Sequence, residues 1–134
     1  MGIKGEPQLV ADRACAIGEN PMWHPEDNSL YWVDIDGCKL FRYDPRTENV
    51  AQWDTGTKVG GFTIQQDGAL LLFMAEGAVQ VWRENEGLTP VIPELPEERG
   101  NRFNDVIADP EGRVFCGTMS TESRPGRLYR LDTD

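Results

Sequence analysis

Three short segments decide the fold class: Ser29-Leu30-Tyr31-Trp32-Val33-Asp34, the turn residues Asp36-Gly37, and Lys39-Leu40-Phe41-Arg42-Tyr43-Asp44, which stops at Pro45. The first is rich in aromatic and β-branched side chains, which pack well on a pleated surface. The last alternates polar and apolar residues, the period of a half-buried strand. With a turn between them, the two segments predict a β-hairpin.

The same unit returns twice. Asp67-Gly68 turns into Ala69-Leu70-Leu71-Leu72-Phe73-Met74, Glu76-Gly77 turns again, and Ala78-Val79-Gln80-Val81-Trp82 alternates. Asp109-Pro110-Glu111-Gly112 leads into Arg113-Val114-Phe115-Cys116-Gly117-Thr118-Met119, with Arg127-Leu128-Tyr129-Arg130-Leu131-Asp132 as partner. Leu30, Leu70 and Val114 occupy matching places, 40 and 44 residues apart. A period of about 40–45 residues, with about four short strands per unit, predicts an all-β chain of β-propeller blades rather than a sandwich. No segment holds an apolar helical period for three turns.

The expected strands group as one, four, four and three. Residues 7–13 stand alone. Residues 18–54 form a first blade, 59–92 a second, and 103–134 an incomplete third, the whole being half of a ring. Propellers close with about 4–8 blades, so three are too few.

Composition narrows the partners. The chain has 134 residues and a net charge of −10, with 39% apolar and 27% charged residues. That balance fits a globular domain and not a disordered one. The acidity argues against nucleic acid, whose phosphates need clustered Lys and Arg, and against an anionic membrane surface. The longest apolar run, Ala69–Ala75, is far too short to span a bilayer. The amino-terminal stretch from Met1 has no apolar leader core, and Glu6 stands where a myristoylation signal needs Ser or Thr. Cys15, Cys38 and Cys116 are isolated from one another in sequence, which excludes a cysteine zinc site and fits a reducing, cytoplasmic setting.

Two segments carry candidate chemistry: Gly18-Glu19-Asn20-Pro21-Met22-Trp23-His24-Pro25 and Asn101-Arg102-Phe103-Asn104-Asp105. Glu19 precedes Leu30 by 11 residues and Asn104 precedes Val114 by 10, so both fall at the start of a blade's innermost strand. Those starts ring one mouth of a propeller channel. A carboxylate and an amide there suit a hard cation, which prefers oxygen ligands. Turn capping is the competing role for both. Gly60-Gly61 holds the matching place in the second unit, where no side chain would obstruct the mouth.

Other residues draw structural expectations. His24, the single histidine, has no orienting partner in sequence. Trp23, Trp32, Trp53 and Trp82 recur within blades and are assigned to packing, Cys116 to a buried inert thiol, and Pro93–Asn101 to a surface loop. No Gly-x-Ser-x-Gly supports serine-hydrolase chemistry.

The strings Gly18-Glu19-Asn20-Pro21-Met22-Trp23, Leu30-Tyr31-Trp32-Val33-Asp34-Ile35-Asp36, Asn101-Arg102-Phe103-Asn104-Asp105, Asp109-Pro110-Glu111-Gly112-Arg113 and Gly117-Thr118-Met119 together resemble the SMP-30/gluconolactonase/LRE family, which includes regucalcin and bacterial sugar lactonases. The resemblance runs from about Ala11 to Asp132. It implies a six-bladed β-propeller that binds one divalent cation in its channel and hydrolyses sugar lactones. By the same resemblance Glu19 is a metal ligand, and Arg102, Asn104 and Glu122 contact the lactone. The ion is calcium or zinc, with magnesium and manganese compatible with the same oxygen ligands. Val106 stands where relatives often carry a small residue.

Family members are about twice as long, and their second half supplies an Asn and an Asp to the metal. The Asp is also the usual general base, so no catalytic base is assigned here. Either the rest of a longer product completes the site, or a homodimer closes a six-bladed ring, with residues 7–13 of each copy completing the third blade of the other. The competing reading is a non-catalytic propeller fragment that binds calcium or a protein.

Overall fold

The hairpin of Ser29–Asp44 grows on both sides into a four-stranded antiparallel sheet: β1 (Gly18–His24), β2 (Ser29–Asp34), β3 (Lys39–Asp44) and β4 (Asn49–Asp54), hydrogen-bonded in chain order. The computed structural model describes residues 2 and 4–132. Met1 and Ile3, at the amino terminus, and the last two positions of the expected third blade lie outside them. A second sheet repeats the first with β5 (Val59–Ile64), β6 (Leu70–Met74), β7 (Val79–Arg83) and β8 (Gly87–Ile92). The third contains β9 (Phe103–Ala108), β10 (Val114–Thr118) and β11 (Leu128–Leu131). All pairings within the three sheets are antiparallel. These are β-propeller blades, and the 40–45-residue period is their repeat.

The expected ring-closing strand, residues 7–13, has its expected partner outside this chain. Residues 7–13 join no ladder, and Leu9 stays 80% exposed. The segment borders a shallow groove with Leu30 and Trp32. Its backbone finds no partner strand in this chain, so eleven strands are formed among the described residues.

The blades pack through two cores that share the middle sheet. Tyr31, Val33, Ile35 and Leu40 of the first blade meet Val59, Phe62, Leu70, Leu72 and Met74. Leu71, Phe73 and Val79 meet Phe103, Val106, Val114 and Cys116 of the third. All five residues of β6 are buried, alternating between the two cores. That is why β6 reads as an unbroken apolar run while β3 alternates. The Val106 departure is absorbed here, because its side chain fills the second core.

Turn geometry refines the sequence reading. In the turn between β2 and β3, Cys38 takes the positive φ of 53°. Gly37 is needed for another reason: a Cβ there would lie 2.3 Å from a carboxylate oxygen of Asp34. Asp34 is buried and accepts hydrogen bonds from the backbone N–H groups of Ala16, Ile17 and Gly37, at 2.9, 2.9 and 3.1 Å. Burial raises the pKa of this carboxyl, but the three donors outweigh it and hold the group below the usual carboxylate range. The same clamp fixes the chain just ahead of β1.

Candidate active site

The innermost strand of every blade is interrupted at the same place. The β1–β2 register shifts between Glu19 and Met22, the β5–β6 register between Val59 and Gly61, and β9 gains one residue between its pairs at Phe103 and Val106. Each is a one-residue bulge near the start of the strand. Bulges re-aim side chains and end regular pairing, so they recur beside functional sites. Here they display Glu19 and Asn20 on the first blade, Gly60 on the second, and Asn104 and Asp105 on the third.

Gly60 and Gly61 are required by packing. A Cβ on Gly60 would lie 1.9 Å from the carbonyl oxygen of Phe103, and one on Gly61 would meet Val106, Asn20 Oδ1 and Asn104 O at 3.0–3.2 Å. The two glycines were expected to leave the mouth open. They let the β5 backbone close against the first and third bulges. One point of β5 therefore lies beside both Asn104 and the neighbour of Glu19. Asn20, at φ 58°, exchanges hydrogen bonds with the backbone of Phe62 at 3.4 and 3.5 Å, tying the first bulge to the second blade.

The expected site residues divide into three groups. Arg102 and Asn104 come together: the Arg102 guanidinium donates from Nη1 to Asn104 Oδ1 at 3.3 Å and to Phe103 O at 2.9 Å. Glu19 is exposed across β5 from them. Glu122 is exposed and borders a cleft with Pro96, Arg99 and Arg124. Arg102 borders a separate cleft of about 490 Å³ with Lys58, Glu76, Asn101 and Met119. Among the described residues no three His, Cys, Asp or Glu side chains gather to hold a metal. The fit to a divalent cation is therefore partial: Glu19 offers a hard carboxylate oxygen, and a cation held there would need further donors.

His24 serves the fold. It is buried, its Nε2 lies 2.8 Å from Gly68 O, and its Nδ1 accepts from the Asp27 N–H at 3.2 Å. It thus joins the first blade to the turn before β6. Trp53 and Trp82 meet edge-to-face at 4.9 Å and Trp32 stacks on Phe41 at 5.1 Å, as packing predicts. Trp23 departs from that expectation, being 49% exposed.

The largest surprise is Glu98. The segment Pro93–Asn101 was expected to be a surface loop, yet Glu98 is fully buried at 0% exposure, at the end of the 3₁₀ turn Pro96–Glu98. Its carboxylate accepts from Tyr129 OH at 2.7 Å, Asn101 Nδ2 at 2.9 Å and Arg124 Nη2 at 3.1 Å. Burial raises its pKa, but Tyr129, Asn101 and the Arg124 cation together hold it below the ordinary range. Nothing in the pattern Pro96-Glu97-Glu98 separates the buried carboxylate from its exposed neighbour. The distant partners Arg124 and Tyr129 decide it.

A family model described as SMP-30/Gluconolactonase/LRE-like region matches residues 17–134. The chain belongs to this family. Pentonolactonase XacC of Haloferax volcanii is 48% identical over 126 residues, covering 93% of this chain and 42% of its own length. Regucalcin of Xenopus laevis is 33% identical over 123 residues, covering 92% and 41%. The SMP-30-type chain thus spans about two-fifths of the length of these relatives. Among solved structures, a regucalcin from Agrobacterium tumefaciens, described as a calcium-binding protein, superposes with a TM-score of 0.81 at 19% identity, covering 92% of this chain and 42% of that one. A gluconolactonase from Xanthomonas campestris does so with a TM-score of 0.76 at 18% identity, covering 93% and 46%. These two likenesses establish the shared propeller fold.

Proposed function

We propose that this chain supplies the first part of the active site of a divalent-cation-dependent hydrolase that opens sugar lactones. The observation that carries the proposal is the joining of Arg102 to Asn104 on a bulge matching the one that displays Glu19. The 48% identity to a pentonolactonase supports the substrate class.

Glu19 would hold the cation, with calcium or zinc the ions of choice. Such an ion supplies Lewis acidity toward the lactone carbonyl. Arg102 presents a fixed fork of donors to the substrate's oxygens. Asn104 offers both a donor and an acceptor to a sugar hydroxyl, and its bond to Arg102 keeps the two groups in one orientation. Glu122 accepts a hydrogen bond from a further hydroxyl. The remaining oxygen ligands and the general base lie outside these residues. They come from the rest of a longer polypeptide or from a second copy that closes a six-bladed ring.

The test is hydrolysis of glucono- and pentonolactones with and without a chelator. Chelation abolishes turnover, calcium or zinc restores it, and Glu19→Gln removes the metal-dependent rate. Unchanged turnover in that variant would defeat the assignment. A second reading, a non-catalytic propeller fragment that binds calcium or a protein, is supported by the 33% identity to a regucalcin. Calcium binding without turnover decides for it.

A further inference from the structure

Glu98 sits at the junction of the two segments that carry the proposed substrate contacts. On one side Asn101 Nδ2 is shared between Glu98 Oε2 and Met119 O, at 2.9 and 2.7 Å. Arg102 follows directly. Its carbonyl accepts from the Met119 N–H at 3.1 Å, and its backbone bridges Ala75 of the second blade. On the other side Arg124 reaches Glu98 Oε2 with its guanidinium, while its backbone closes the tight turn Thr121–Arg124. Thr121 N donates to Arg124 O at 2.8 Å, and Arg124 N donates to Thr121 Oγ1 at 3.2 Å. Glu122 lies within that turn. The other oxygen, Oε1, is occupied by Tyr129 of β11. One buried carboxylate thus anchors the start of β9, the Glu122 turn and the last strand. It touches no expected substrate position itself.

We infer that Glu98 is a positioning residue that sets Arg102 and Glu122 relative to one another through Asn101 and Arg124. The inference rests on the reading that these two side chains contact the lactone. An unpaired member of such a buried network is costly, so loss of the carboxylate should release both arms together. Removing either arm's own side chain would leave the other in place.

The experiment compares Glu98→Gln with Glu97→Gln, its exposed neighbour, using two readouts. In hydrogen–deuterium exchange, Glu98→Gln speeds exchange about tenfold across residues 100–103 and 119–127, and leaves the first blade unchanged. Glu97→Gln changes neither. In lactone kinetics, Glu98→Gln raises KM about tenfold with kcat nearly constant, the signature of lost substrate contacts. A purely structural defect would shrink the active fraction, lowering kcat at constant KM. That kinetic result, or unchanged exchange in either arm, overturns the inference. If the unsubstituted protein opens no lactone, the functional reading fails, and the exchange pattern alone decides whether Glu98 couples the two arms. Should Glu98→Gln not fold, Tyr129→Phe removes one of the three donors in a milder way. It must loosen the same two segments, and silence there is equally fatal.

Discussion

Single side chains in this domain owe their behaviour to what surrounds them. Tyr31 donates to Asp27 at 2.5 Å, and burial, with that bond to an anion second, pushes its phenol up to about 12. A raised folded pKa means the stability it contributes is complete below the unfolded value near 10 and fades as pH climbs through about 12. Alkaline unfolding followed by circular dichroism should therefore lose part of its pH dependence in Tyr31→Phe. Asp34 has the opposite sign. Its depressed pKa gives stability above the ordinary carboxylate value near 4 that disappears as pH falls through the folded value. Asp34→Ala leaves three donors unmet and should cost about 2–3 kcal/mol at neutral pH in urea melts, with the gap to the parent narrowing in acid. Cys116 is buried, and burial raises its thiol to about 11. An aromatic disulfide reagent should label Cys15 and Cys38 in the native protein and reach Cys116 only on unfolding.

At the scale of strands and turns, the bulges and the glycines beside them form one device. Gly60→Ala would drive a methyl into the Phe103 carbonyl, where no flexible atom can yield. We expect it to destabilise the domain by about 3 kcal/mol or more, measured by chemical denaturation, and to disturb β9 before β1. Most of the strands were legible in the sequence, because aromatic and β-branched runs bounded by Asp-Gly and Glu-Gly turns leave few alternatives. Ser29–Asp34 and Lys39–Asp44 match the expected spans to the residue. Residues 7–13 join no ladder within the chain, and the partner expected for them is the third blade of a second copy. The site was legible less evenly. Glu19 and Asn104 stood out by similar distances from the blade repeat, 11 and 10 residues, and each lies at the bulge of its strand. Glu98 was hidden, because its partners lie 26 and 31 residues further along the chain.

For the molecule as a whole, the third sheet has three strands among the described residues, and both end blades turn apolar side chains outward, Leu128 at 74% exposure among them. Light scattering at two concentrations measures how that surface is covered. A mass twice that of the chain is expected of the proposed two-copy ring, whereas a monomer defeats it. The middle blade has a subtler consequence. Because both faces of β6 are apolar, a slip of one residue would exchange Leu70, Leu72 and Met74 for Leu71 and Phe73 without exposing a polar group. Solvent therefore gives no penalty against misalignment, unlike in a sheet with one wet face. The alignment must be enforced from the strand's ends. Gly68 and Gly77 adopt φ values of 86° and 69°, and Leu95 crowds the place of a Gly77 side chain. Errors of threading in this protein should thus originate at two glycine turns and propagate into both cores at once.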